Sequence, residues 1–148
     1  MSDENQARQL VVFTLGAEQY ALPIEQVHEI IRYDEPRSVA SPIAWVRGVI
    51  SLRGRIVPVY DLASRLGLDS EISETTKIVI VESGDETAGV IVDEVEEVLT
   101  VEEADFEDVP GADSELIESI AKLGDRLVVL LKPSMIFVGV GDLAAQAA

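Results

Sequence analysis

The chain is 148 residues long, 47% hydrophobic and free of cysteine, with a formal net charge of -17. The length suits one domain with a sizeable core, and the missing cysteine excludes a disulfide framework and thiolate chemistry and fits a reducing cytoplasm. The charge excludes nucleic acid and an anionic bilayer as direct partners, because both demand clustered Lys and Arg.

Residues 1–8 are polar and read as a disordered lead-in, without the basic and apolar regions of a signal peptide. Residues 9–15 (QLVVFTL) predict a strand, Gly16 and Ala17 a turn, and residues 18–23 (EQYALP) the hairpin partner. Ile24, Val27, Ile30 and Ile31 then fall at helical spacing, which by itself favours a helix. The β-branched pair Ile30-Ile31 beside Arg32-Tyr33 suits a strand instead. Residues 34–42 hold two prolines and predict a loop. Trp45, the only tryptophan, reads as a core anchor.

Residues 46–52 and 56–60 are rich in β-branched side chains and flank Arg53, Gly54 and Arg55. They predict a hairpin in which Gly54 supplies the positive φ of a tight turn. Its tip carries two arginines, with Arg47 near the base, in a chain that is otherwise acidic. A rigid turn would hold Arg53 and Arg55 free to meet a carboxylate on a partner. The plainer reading is a pair of solvated surface charges. Residues 61–66 predict a short helix, with Asp61 as N-cap and Gly67 as its stop. Residues 68–76 form a connector rich in Glu, Ser and Thr.

Residues 77–82 and 88–92 predict a second hairpin across Ser83, Gly84 and Asp85. Residues 93–100 follow with apolar Val95, Val98 and Leu99, while Asp93, Glu94, Glu96 and Glu97 read as a solvated face. Residues 102–108 predict an acidic loop leading to Pro110 and Gly111. Residues 116–123 and 126–131 make a last strand pair around the turn dipeptide Gly124-Asp125. Pro133 opens a turn of helix through Phe137, and residues 138–148 form a tail of small residues. Short, evenly spaced strands with little helix read as an all-β barrel or sandwich. Divided near residue 70, the two halves hold four to six strands each, with no visible sequence repeat. The apolar runs are too short and interrupted for a transmembrane helix.

Catalytic constellations are not apparent. His28 is the only histidine, reads as half-exposed beside Glu29, and has no G-x-S-x-G nucleophile elbow to serve. The chain has no P-loop, no G-x-G-x-x-G and no calcium-loop pattern, so neither cofactor nor metal is implied. The acids are numerous, but no two stand out as a general acid and base. Lysine occurs only at Lys77, Lys122 and Lys132, a balance that suits either a salt-rich cytoplasm or ordinary solubility.

Three motifs carry a resemblance that spans about residues 9–137. The run V-R-G-V-I-S-L-R-G-R-I-V-P-V-Y-D-L from Val46 to Leu62 resembles the signature of the CheW adaptor family of bacterial and archaeal chemotaxis. Ser51 stands where that signature has Asn. Upstream, Tyr20-Ala21-Leu22-Pro23-Ile24 and Val27-His28-Glu29-Ile30-Ile31 are similar to the family's second motif, and residues 120–131 to a third. The resemblance implies an all-β fold of two small SH3-like five-stranded barrels sharing one core. It also implies a brief helical turn near residues 24–27, then a strand through Tyr33. The expected organisation is one domain over 9–137 made of two intertwined halves with a boundary near 70, a lead at 1–8 and a tail at 138–148.

The function implied is a non-enzymatic adaptor in the cytoplasm. It would couple the cytoplasmic tips of methyl-accepting chemoreceptors to the regulatory domain of the histidine kinase CheA, meeting the membrane only through those receptors. Carried over motif by motif, the partner-binding candidates are Val27, Glu29, Ile30, Gly48, Arg53 and Ile56. Glu29 and Arg53 would either pair with each other or each meet a partner charge. One alternative is a coupling protein of a chemotaxis-like pathway for twitching or gliding. Another is a small β-barrel hydrolase or ligand-binding module, which a pocket of convergent polar groups would support. A third is a fragment of a larger kinase, against which the polar start and Ala-rich end read as natural termini.

Overall fold

The computed structural model describes residues 7–41, 43–111 and 115–137. The first hairpin is β1 (Ala7–Leu15) and β2 (Glu18–Pro23), followed by a 3-10 turn at Ile24–Gln26 and β3 (Val27–Arg32). Next come β4 (Val46–Leu52), β5 (Arg55–Asp61) and helix α1 (Leu62–Arg65). The remainder is β6 (Lys77–Ser83), β7 (Glu86–Val92), β8 (Glu94–Glu102), a 3-10 turn at Glu103–Asp105, and β9 (Phe106–Glu107). Finally come β10 (Ile117–Leu123), β11 (Arg126–Leu131) and a 3-10 turn at Pro133–Met135.

One sheet has the order β8-β1-β2-β11-β10-β9 and the other β3-β6-β7-β5-β4. The second closes where Arg37, beyond β3, exchanges hydrogen bonds of 2.8 and 2.9 Å with Val49 of β4. The first closes because β8 and β9 are one run of chain, pairing with β1 at one end and β10 at the other. Each sheet is thus a small SH3-like barrel, and the chain starts in the first, builds the second, and returns.

The apolar runs follow from three cores. Leu10, Val12, Ala21 and Leu130 fill the first barrel, and Val57, Val59, Ile78 and Ile80 fill the second. Between them lies a shared core of Phe13, Leu15, Leu22, Val79, Val81, Val90 and Leu131. A strand alternates sides, so β6 sends Ile78 and Ile80 into one core and Val79 and Val81 into another. This is why residues 78–81 are apolar without a break, as in a strand buried on both faces.

The two barrels repeat each other pair by pair. In β4–β5, a bulge separates Val46↔Tyr60 from Gly48↔Val59, and in β10–β11 a bulge separates Ile117↔Leu131 from Ser119↔Leu130. In β3–β6 a bulge separates Val27↔Val81 from Glu29↔Ile80, and in β8–β1 it separates Val95↔Phe13 from Glu97↔Val12. The parallel pair Val59↔Gly89 corresponds to Leu130↔Ala21. Residues 7–66 and 77–137 are therefore equivalent runs that have exchanged their first hairpins.

Several expectations change. Residue 70 separates the two equivalent runs, but no barrel boundary lies there, because the second barrel spans residues 27–92. The first sheet has six strands, since the bend at Glu103–Asp105 makes β9 a separate strand. β1 starts at Ala7, inside the expected disordered lead, because Ala7 pairs with Glu102 and Arg8 with Val101. The acidic loop is instead a 3-10 turn and a strand, with Phe106 opposite Ala121. Residues 1–6, Pro42 and the tail 138–148 lie outside the described residues.

Candidate functional site

The central hairpin turns in two residues, not three: Leu52 pairs with Arg55, leaving Arg53 and Gly54 at the tip. Their φ values are 52 and 80, as a type I′ turn requires of both central residues. Left-handed backbone costs a residue with a Cβ about 1 kcal/mol or more, so glycine usually takes such a place. The other two-residue hairpins obey, with Gly16, Gly84 and Gly124 first in their turns at φ 61, 61 and 64. Arg53 is the only non-glycine residue with positive φ among those described.

The turn aims Arg53 across the barrel mouth at Glu29 of β3. One guanidinium nitrogen, Nη1, donates to both carboxylate oxygens at 2.5 Å. Glu29 is largely sheltered, its side chain 19% exposed, whereas that of Arg53 is 71% exposed. Ile30, next on β3, is 40% exposed and points away from Glu29, as successive strand residues do. Ile56 is 70% exposed on β5. It lines a hollow of about 490 Å³ with Arg37, Val49 and Ser51.

Two of the expected contact residues face inward. Val27 packs on the shared core. Gly48 is buried at φ 146, and a Cβ there would lie 1.9 Å from the carbonyl oxygen of Arg37. It has no side chain so that the bridge closing the second barrel can form. Of the six candidates, the structure joins Glu29 and Arg53 directly and leaves Ile30 and Ile56 on the surface.

Other polar groups were missed or misread. His28 is half-exposed, as expected, and lies 3.4 Å from Glu82, a neighbour the sequence did not suggest. Arg55 donates to the Thr87 hydroxyl at 3.2 Å. Arg47 binds Asp61 at 2.5 Å, and the other Asp61 oxygen caps α1 by accepting from the Ser64 amide, as its N-cap position predicts. Asp93 does not belong to a solvated face: its carboxylate accepts from the Gly16 amide at 2.7 Å and from the Ser70 hydroxyl. Glu97 does lie on an exposed face, and there it pairs with Arg126 at 2.6 Å. Gly16 and Arg126 are remote in sequence, so neither contact leaves a local signal. Trp45 is half-buried against the shared core, with the Arg65 guanidinium 4.4 Å from its ring centroid. Nearby, burial pushes the Tyr60 hydroxyl up to about 12, with help from Glu86.

A hollow of about 560 Å³ is lined by Tyr33, Glu35, Arg47, Asp61 and Ile72, among others. Its Arg47 and Asp61 pair with each other, and Glu35 is the remaining carboxylate in its lining. Among the described residues no group of three or more His, Asp or Glu could hold a metal ion. None of their helices is long and apolar enough to cross a membrane.

A family model described as a CheW-like domain matches residues 9–140. The chemotaxis protein CheW of Bacillus subtilis is 36% identical over 127 residues, which cover 82% of this chain and 81% of that protein. The protein PilI of Pseudomonas aeruginosa is 37% identical over 86 residues, covering 56% of this chain and 47% of its own. The crystal structure of the scaffolding protein TtCheW from Thermoanaerobacter tengcongensis superposes with a TM-score of 0.80 at 35% identity, covering 86% of this chain and 85% of that one.

Proposed function

The chain belongs to the CheW-like family, and from that membership we propose that it is a non-enzymatic adaptor coupling chemoreceptors to the histidine kinase CheA. It works in the cytoplasm and reaches the membrane only through its receptor partners. Its net charge of -17 suits that role better than direct contact with anionic lipid. The docking element on the second barrel is the Glu29–Arg53 pair, flanked by Ile30 and Ile56.

The observation that carries the site is Arg53. Strained backbone persists where something else requires it, and functional sites are where it collects. Here the strain sets an exposed guanidinium on a rigid tip, anchored by a sheltered acid, with exposed Ile56 in the next strand. A desolvated arginine at an interface centre commonly costs about 2 kcal/mol or more when truncated, a loss of roughly thirtyfold in affinity.

The test is to melt Glu29→Ala and Arg53→Ala and titrate each with the kinase regulatory domain and receptor signalling fragments. Near-native melting with weakened assembly is expected. Native-like binding by both variants would remove the pair from the site. A PilI-like motility pathway is the second reading, and its relative matches a shorter stretch of this chain.

A further inference from the structure

The barrel repeat exposes a missing partner. In the first barrel, Arg126 sits just after the β10–β11 turn. Its Nε donates to Gln19 at 2.7 Å and its Nη2 to Glu97 at 2.6 Å. The register equivalences place Arg55, Thr87 and Glu29 at the corresponding positions of the second barrel. Arg55 keeps the first contact, donating to Thr87 at 3.2 Å. It lacks the second, because Arg53 has taken Glu29. Among the described residues no carboxylate pairs with Arg55, nor with Arg32, Arg37 or Arg65, whereas Arg8, Arg47, Arg53 and Arg126, the equivalent of Arg55, each hold one.

We propose that Arg55 is a docking subsite for a carboxylate side chain of the partner. The proposal rests on the adaptor reading above, and the occupant is an Asp or Glu on the kinase regulatory domain. The surroundings suit that occupant. A hollow of about 90 Å³ opens between Arg53, Arg55, His28 and Glu82 over the apolar side chains of Leu52 and Val57. Glu82, the acid at this rim, is turned to His28. With Arg53 held by Glu29, Arg55 is the guanidinium of this hollow that no carboxylate neutralises, on a chain of net charge -17. A partner carboxylate seated on Arg55, on a chain that is otherwise acidic, also sets the partner's register. The planar fork of arginine can grip both carboxylate oxygens, which an ammonium cannot.

The test is calorimetric titration of the full chain and of Arg55→Ala, Arg55→Lys and Arg55→Glu with the kinase regulatory domain, each variant also being melted. Arg55→Ala is expected to bind about tenfold more weakly, Arg55→Lys to fall between it and wild type, and Arg55→Glu to be the weakest. Melting should stay native, because the internal contact is a single exposed bond to Thr87. The affinity of Arg55→Ala should also depend less on salt than that of wild type. Wild-type affinity in Arg55→Ala overturns the subsite while leaving the adaptor reading intact. So does a loss that follows a fall in melting temperature. Failure of the wild-type chain to bind the regulatory domain overturns both.

Discussion

The two barrels share strand order, bulge positions and the parallel strand pair at their junction, yet they finish their hairpin tips differently. The first barrel puts Gly124 at the left-handed place and lets the arginine after the turn, Arg126, pair with Glu97. The second puts Arg53 at that place, pairs it with Glu29, and leaves Arg55 with a hydroxyl. One tip is satisfied internally. The other bears backbone strain and presents two guanidinium groups. A shared scaffold with one strained copy separates what the fold needs from what docking needs.

The largest expected difference concerns the second bulge residue. Gly48 and Ser119 are equivalent, and both are buried, but only Gly48 lies against the Arg37 carbonyl. Gly48→Ala should destabilise the chain by about 3 kcal/mol or more, through both the clash and the left-handed φ. Ser119→Gly should cost about 1 kcal/mol or less. Urea unfolding of the two variants measures this, and equal losses would break the comparison.

Next is alkaline pH. Tyr60 of the second barrel corresponds to Leu131 of the first, so only one of the pair can ionise. An unfolded tyrosine titrates near pH 10, and the folded Tyr60 hydroxyl is pushed up to about 12. The folded pKa is raised, so this stability is complete below about pH 10 and is lost as pH rises through 12. The loss totals about 2–3 kcal/mol. Tyr20 and Tyr33 are also raised, chiefly by burial, and add to the same slope. Tyr60→Leu should therefore flatten much of the fall in urea midpoint between pH 9 and 12, and an unchanged slope would count against it.

A smaller effect separates the equivalent arginines. Arg126→Ala removes two side-chain bonds from a partly sheltered group and should cost about 1 kcal/mol. Arg55→Ala removes one exposed bond and should cost less than about 0.5 kcal/mol. Thermal melts of both variants rank them, and the reverse order would show that the tips are not equivalent.

Much of the fold was legible because its signals are local. Each hairpin has its glycine in the turn, and most strands their alternating or unbroken apolar run, β3 with its helical spacing and the two-residue β9 being the exceptions. The exchange of hairpins was not legible, since it depends on the parallel pairs Val59↔Gly89 and Leu130↔Ala21, which join residues far apart in the chain. The repeat was hidden for the same reason: Gly48 matches Ser119, and Tyr60 matches Leu131, so register is kept while residue type is not. At the site, Arg53 stood out by its turn. The Glu29 contact crosses from β3 to the β4–β5 tip, and sequence could offer it only as one of two options. Arg55 became distinct only once Arg126 showed what an equivalent arginine normally holds.

The central claim is that the second barrel's tip is built for docking, at some expense to stability. Arg53→Gly tests it most directly, because it copies Gly124 and leaves Glu29 for Arg55, as Glu97 is held by Arg126. Thermal melting and titration with the kinase regulatory domain should be run on the same preparation. The expected result is a melting temperature at or above wild type, from relief of about 1 kcal/mol of backbone strain, together with binding weakened about tenfold or more. A lowered melting temperature with undiminished binding would contradict the claim and make Arg53 a structural residue.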